Sequence, residues 1–248
     1  MGKIDYIASD VHLGAVPPET ERIFVAFLDR AGQDAGTMLI NGDLFDFWFE
    51  YGEVIPGKHF RVLAAMSELV DAGVRVILMG GNHDAWGGRF LREEVGVEYH
   101  TGMLRTQLGG RNALIAHGDG LGKGDFRYRA LKTVVRSRLV IGIFRAIHPE
   151  VGLRIARGVS RTDTRQDDDA MRGRAKFLED WGAARLKEDD QLSFVVCGHA
   201  HFPSCVRVSP GQYYLNAGDW IRHNTYIVIN DQGEPTLQRW PAAVTPRS

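Results

Sequence analysis

Val74-Arg75-Val76-Ile77-Leu78-Met79 is a run of apolar and β-branched residues, and two positions after it the chain reads Gly81-Asn82-His83-Asp84. The run has the length and composition of a buried strand, which the glycine then ends in a polar loop. Working outward, the same alternation repeats. Lys3 to Ser9 reads as a strand, Glu19 to Ala31 as a helix, Thr37 to Asn41 as a strand and His59 to Ala72 as an amphipathic helix; a short helix near Arg89 to Val95 follows the quoted stretch. This order predicts a sheet with right-handed crossovers and helices on its faces. Strands at Leu104 to Leu108 and Asn112 to Ala116 flank a hairpin turn, Gly109-Gly110-Arg111. A glycine-punctuated segment from Gly118 then gives way to a basic, apolar helical stretch ending near Arg161, and an acidic hinge follows at Asp167-Asp168-Asp169. A helix from about Ala170 to Lys187 leads back into strands at Leu192 to Cys197, Cys205 to Val208, Gln212 to Asn216, Thr225 to Ile229 and Thr236 to Trp240.

With 248 residues, 44% hydrophobic and 25% charged, the composition is that of a soluble globular protein, which excludes disorder, collagen and coiled coil. One domain with an insertion is the expectation at this length. A formal net charge of -1 argues against binding nucleic acid over the whole surface. Cys197 and Cys205 sit in strand-like stretches and form neither a disulfide framework nor a zinc knuckle, so a reducing compartment is expected. The first residues enter a strand pattern without the apolar run of a signal peptide. Leu139 to Phe144 is the longest uncharged apolar run, far short of the ~20 residues that span a bilayer. A cytoplasmic or peripheral protein is therefore expected.

Five short motifs carry the chemistry, and each sits where a strand gives way to a loop: Asp10-Val11-His12, Gly42-Asp43, Gly81-Asn82-His83-Asp84, His117-Gly118-Asp119 and Gly198-His199-Ala200-His201. Loops after the carboxyl ends of strands are the ligand-binding edge of an open α/β sheet. If they converge, Asp10 with His12 and His199 with His201 each project to one side of an extended strand end. The pooled donors are carboxylates, an amide and imidazoles, without thiolate; such a set suits Mn²⁺, Fe or Zn²⁺, and two ions about 3.5–4 Å apart are the usual arrangement for phosphoester hydrolysis. Glycines before Asp43, Asn82 and His199 let the backbone turn sharply beneath the ions. Each motif alone is also an ordinary turn sequence; the argument lies in their number and order.

The series resembles the calcineurin-like metallophosphoesterases, whose pattern D-x-H, G-D, G-N-H-[DE], H, G-H-x-H is complete from Asp10 to His201. The resemblance implies an αββα four-layer sandwich with two divalent ions at its edge, manganese first and iron or zinc as alternatives. Asp10, His12, Asp43 and His201 would hold one ion and Asp43, Asn82, His117 and His199 the other, with Asp43 bridging. His83, held by Asp84, would stabilise the phosphoryl oxygens or protonate the leaving group, and Asn82 would touch phosphate as well as metal. A narrower similarity lies in Gly42-Asp43-Leu44-Phe45-Asp46-Phe47-Trp48, His117-Gly118-Asp119-Gly120-Leu121 and Asn216-Ala217-Gly218-Asp219-Trp220, which resemble the UDP-2,3-diacylglucosamine diphosphatases of lipid A biosynthesis. That family releases UMP and a diacylglucosamine 1-phosphate from a UDP-linked acylated sugar lipid at the cytoplasmic face of the inner membrane. His83 stands where its best-known members have arginine. Other phosphoesterase activities, a soluble nucleotide pyrophosphatase or a nuclease, are the alternatives within the fold; a scaffold that has lost the chemistry is the alternative outside it.

From Lys123 to Arg161, ten basic residues face only Asp125 and Glu150, a net +8 in 39 residues; 20 basic and 29 acidic residues elsewhere give −9. Apolar residues are interleaved throughout. Two readings are open: an interfacial or lipid-facing cap, or an insert packed on the body with its arginines solvated. The resemblance favours a helical lid over residues 120–190 within one domain spanning 1–248, with Tyr128, Arg157, Ser160 and Arg161 as substrate contacts. Arginine's planar fork suits phosphate. Asp46 and Asp119 are expected to orient loops or histidines. His59, His100, His148 and His223 are expected on the surface or at caps.

Overall fold

A computed structural model describes residues 3–51, 54–122, 130, 133–159 and 168–241. Two sheets stack face to face. The first runs in the order β11 (Pro235–Arg239), β10 (Thr225–Ile229), β1 (Ile4–Ala8), β2 (Ala35–Asn41), β3 (Arg75–Gly80) and β4 (Glu98–Thr101). The second runs β5 (Leu104–Leu108), β6 (Arg111–Ile115), β7 (Phe194–Cys197), β9 (Gln212–Asn216) and β8 (Ser204–Ser209). Strands β1, β2 and β3 are parallel, as are β6, β7 and β9, so each sheet presents a row of carboxyl ends.

Side chains alternate across each strand, and the alternation sorts the apolar residues into three cores. Ile7, Leu39, Ile77 and Met79 point between the sheets and meet Ile115, Phe194, Val196 and Leu215 from the other side. Tyr6, Ala8, Met38, Ile40, Val76 and Leu78 point the other way, onto helices α1 (Pro18–Ala31) and α2 (Phe60–Asp71). Leu114, Val195, Cys197 and Tyr214 face out from the second sheet onto Leu178 and Leu186 of a 21-residue helix, Asp168–Glu188. The architecture is the expected αββα sandwich. Continuous apolar runs in β2, β3 and β7 follow from it, because a strand covered on both faces has no polar side.

Several expectations change in detail. The segment 120–190 is not one insertion: the helix Asp168–Glu188 is the outer layer on the second sheet, fixed by its leucines and by Gly182, which lies directly on the Tyr214 ring. Asp168 and Asp169 therefore open this helix instead of forming a hinge. Numbering onward from α3 (Arg89–Glu93), this is α6; α4 (Arg138–Ala146) and α5 (Pro149–Val159) precede it. Strand β4 carries little apolar pattern in the sequence, because Tyr99 is its one buried side chain, at the sheet edge. Arg111 pairs with Leu108, so the hairpin turn is Gly109-Gly110 alone, both left-handed at φ 53° and 70°. His59 is the N-cap residue of α2, in keeping with the cap expectation, but it is buried and not on the surface, with Nδ1 3.4 Å from Glu21 Oε2 and its ring 5.4 Å from that of Phe45. His100 and His148 are outside the core.

Gly182→Ala drives a methyl into the Tyr214 ring and should cost about 1–3 kcal/mol by overpacking, read as a lower denaturant midpoint with unchanged m-value.

Candidate metal centre

The carboxyl ends of the two sheets meet at one edge, and hydrogen bonds stitch them together there. Asn41, the last residue of β2, donates from Nδ2 to Ala116 O at 3.1 Å, and its own carbonyl oxygen lies 2.8 Å from His117 Nδ1. The backbone amide of Asp10 donates to Gly42 O, that of His12 to Asp43 O and that of Gly198 to His117 O. Across the sheets, the amide of His199 donates to both carboxylate oxygens of Asp10 at 3.1 Å.

Five of the seven residues expected as ligands have left-handed backbone: Asp10 (φ 54°), His12 (52°), Asp43 (51°), His199 (62°) and His201 (55°). Left-handed non-glycine residues are strained by about 1–3 kcal/mol each and persist only where their surroundings over-determine them. The hydrogen bonds above supply that constraint, and Asp and His tolerate the region better than most residues. Asp10 and His12 do project together into one group, as expected, but from left-handed and not extended backbone; the expectation for His199 and His201 is corrected, because their left-handed kinks send them to different groups.

Three overlapping groups result: Asp10, His12 and His201; His12, Asp43 and His83; and Asp43, His117 and His199, the donor atoms of each within 4.8 Å of one another. His12 and Asp43 each belong to two of them. Asp43 Oδ2 lies 3.1 Å from His117 Nε2 and 3.7 Å from His12 Nε2, while Asp10 Oδ1 lies 3.5 Å from His201 Nε2. Asn82 is exposed on the loop between Gly81 and His83.

The electrostatics fit a divalent cation. Burial holds the His12 imidazole down at about 3 and that of His199 down at about 4, so both are neutral at pH 7, the form that can ligate a metal. Burial likewise raises Asp10, a carboxylate that lacks compensating positive charge although His201 and His117 pull it the other way. His117 is the exception. Burial opposes its charged form, but Asp43 at 3.1 Å outweighs this and raises it, while the same contact holds Asp43 low against its own desolvation. Oxygen and nitrogen donors, buried and short of positive charge, suit a divalent metal ion.

A family model described as calcineurin-like phosphoesterase matches residues 6–214. The chain belongs to that family. Among curated relatives, UDP-2,3-diacylglucosamine hydrolase of Porphyromonas gingivalis is 30% identical over 242 residues, covering 90% of this chain and 92% of its own. The protein of the same name from Ectopseudomonas mendocina is 27% identical, covering 97% and 98%, and that of Actinobacillus succinogenes 28% identical, covering 92% and 96%.

Several supporting roles of this phosphoesterase site are visible only in three dimensions. Asp84 does not hold His83. Its two oxygens accept from the backbone amides of Gly81, Asp43, Leu44 and Phe45, which ties the β2 and β3 loops together and buries it beneath them. His83 is held by Asp46, whose carbonyl oxygen lies 3.0 Å and carboxylate 3.5 Å from Nδ1. Asp119 is buried and its charge favours protonation of His117 and His199. Asp219 lies 3.4 Å from His201 Nδ1 and 3.3 Å from His223 Nδ1, so His223 backs the site and is not a surface residue. Ser9 and Asn41 also support the site, as does Asn216, the first residue of the Asn216–Trp220 motif. Ser9 Oγ donates to Asp10 Oδ2, and Asn216 Nδ2 to Gly198 O. An asparagine ending an apolar strand marks Asn41 and Asn216 in the sequence, whereas nothing there marks Ser9. Of the three glycines, Gly42 alone requires its left-handed φ of 86°; Gly81 and Gly198 are needed because a Cβ would strike Asp43 and Ser9. Tyr128, Ser160 and Arg161 lie outside the described residues, as does the side chain of Arg157.

Asp84→Ala strands four backbone amides and should destabilise the fold by about 2–4 kcal/mol with loss of metal loading, whereas His83→Ala should shift stability by less than about 1 kcal/mol in thermal unfolding. His117 holds its proton at neutral pH without metal, and that proton must leave before the nitrogen ligates; cation affinity should therefore rise with pH, and calorimetry in buffers of differing ionisation enthalpy should show proton release.

Proposed function

We propose that this chain is a dimetal hydrolase that cleaves the pyrophosphate of UDP-2,3-diacylglucosamine to UMP and 2,3-diacylglucosamine 1-phosphate. The observation that carries the reading is the convergence of seven metal-suited residues on one edge, beside a basic, apolar helical pair; the relatives' names supply the substrate. Asp10, His12, Asp43 and His201 would hold one divalent ion, manganese by preference, and Asp43, Asn82, His117 and His199 the second. Such ions acidify water and neutralise charge on the attacked phosphoryl group.

The chain's own residues do the rest. His83, held by Asp46 and with its ring centroid 4.8 Å from that of His12, stands where it can stabilise phosphoryl oxygens or protonate the departing group. Asn82 is open to substrate on the same loop. The cap over these loops belongs to the same single domain, and Tyr128, Arg157, Ser160 and Arg161 on it are the proposed contacts to phosphate and acyl sugar. Phe144 of α4 packs 4.7 Å from Phe49 and 5.1 Å from Trp86, giving an apolar wall next to the metal loops.

No helix among the described residues is long and apolar enough to cross a membrane. A peripheral position at the cytoplasmic face of the inner membrane is supported instead by α4 and α5, which expose Leu139, Ile143, Val151 and Ile155 one turn apart on each helix, among arginines. A nuclease would require a basic groove without this apolar face.

Mn²⁺-dependent turnover of UDP-diacylglucosamine in ¹⁸O water should place the label in one phosphate product. Asp43→Ala should abolish turnover and His83→Ala reduce it about 10²–10⁴-fold. Robust hydrolysis of a simple phosphodiester without turnover of the lipid would refute the substrate. Binding to anionic vesicles should fall with salt and with Leu139→Asp/Ile143→Asp.

A further inference from the structure

Two basic residues of the cap, Arg136 and Arg145, bond to backbone carbonyls of the body, and Arg136 does so at the loop of Asn82 and His83. Arg136 is half-buried, and its Nη2 donates to the carbonyl oxygen of Gly81 at 2.8 Å. Gly81 immediately precedes Asn82 and His83. Its amide already donates to Asp84 Oδ1 at 2.8 Å, and its α-carbon is packed so tightly on Asp43 that a Cβ could not be added. The Gly81 carbonyl belongs to the peptide unit from which Asn82 springs, so the guanidinium fixes the one side of this glycine that the body leaves open.

Arg136 also stands directly before Ser137, whose hydroxyl accepts from Val140 N and caps α4. The same helix carries Phe144, against Trp86, and Arg145, whose Nε donates to Glu50 O at 3.4 Å. Glu50 in turn accepts from the amides of Gly88, Phe90 and Leu91. Helix α4 and its root thus grip the loop 81–91 at its beginning, through Arg136, and further along it, through Phe144 and the Arg145–Glu50 link.

We propose that Arg136 is a positioning residue: by clamping the Gly81 carbonyl it couples the seating of the cap to the placement of Asn82 as a metal ligand and of His83 beside the phosphoryl group. The inference rests on the roles assigned to Asn82 and His83 under the proposed function, and it says that the cap completes the hydrolytic centre as well as covering it. Residues of this kind, which orient ligands without touching the metal, typically change metal affinity or activity by about 10–100-fold when replaced.

The test uses the full-length chain with Arg136→Gln and Arg136→Lys. Mn²⁺ affinity is measured by equilibrium titration, and turnover is measured on UDP-diacylglucosamine and on bis(p-nitrophenyl) phosphate, which has no acyl chain to engage the cap. Arg136→Gln should weaken binding of the second Mn²⁺ equivalent about 10-fold or more and lower kcat on both substrates by a similar factor, with KM for the lipid little changed and the melting temperature preserved. Arg136→Lys, which keeps one donor to the carbonyl, should recover part of each loss. Unchanged Mn²⁺ affinity overturns the proposal. So does a loss confined to the lipid with a raised KM, which would make Arg136 a substrate contact. Absence of lipid turnover by the parent chain would count against the proposed function alone, because Mn²⁺ affinity still reads the clamp.

Discussion

The carboxylate of Asp43 is the contact on which the site depends. It is fully buried, lies 3.1 Å from His117 and 3.7 Å from His12, and also accepts from the amide of His83 at 2.9 Å. It therefore joins the end of the first sheet to the end of the second and to the loop of the quoted motif. A buried carboxylate in such company is stable only with matching positive charge, which His117 carries as an imidazolium and which divalent cations would supply in its place. The left-handed residues around it follow from the same demand: donors from separate strand ends must turn inward to share one small volume.

That volume is held by backbone contacts more than by side-chain pairs. Asp84 binds four amides, Glu50 three, and Asp219 three, each acid gathering a loop behind the residues that face the pocket. Amides gathered on a carboxylate in this way fix loop shape without regular secondary structure, although burial pushes the Asp84 carboxyl up to about 6. It follows that an acidic residue adjacent to a ligand motif can be structural, as Asp84 is, while the one that orients the histidine lies on another loop, as Asp46 does.

Much of this was legible in the residues. Strands β2, β3 and β7 announce themselves as largely apolar runs, and it is the number and order of the polar motifs that follow strands, not any one of them, that marks the loops as used. The less legible parts share a cause: they depend on pairing with something distant. Strand β4 is an edge strand with one buried residue; His59 is polar by type and buried only because Glu21 and Phe45 meet it; the 120–190 segment splits because Leu178 and Leu186 in its second half belong to the outer core of the second sheet.

The sequence by itself determined the layered α/β fold, the strand-end location of the site and the kinds of side chain gathered there, because hydrophobic periodicity and side-chain chemistry are both local. Tertiary structure decided which donor joins which group, which acid holds His83 and where the cap touches the metal loop. Those assignments turn on left-handed backbone at single residues and on hydrogen bonds between residues 37 to 189 positions apart, and no spacing along the chain encodes them.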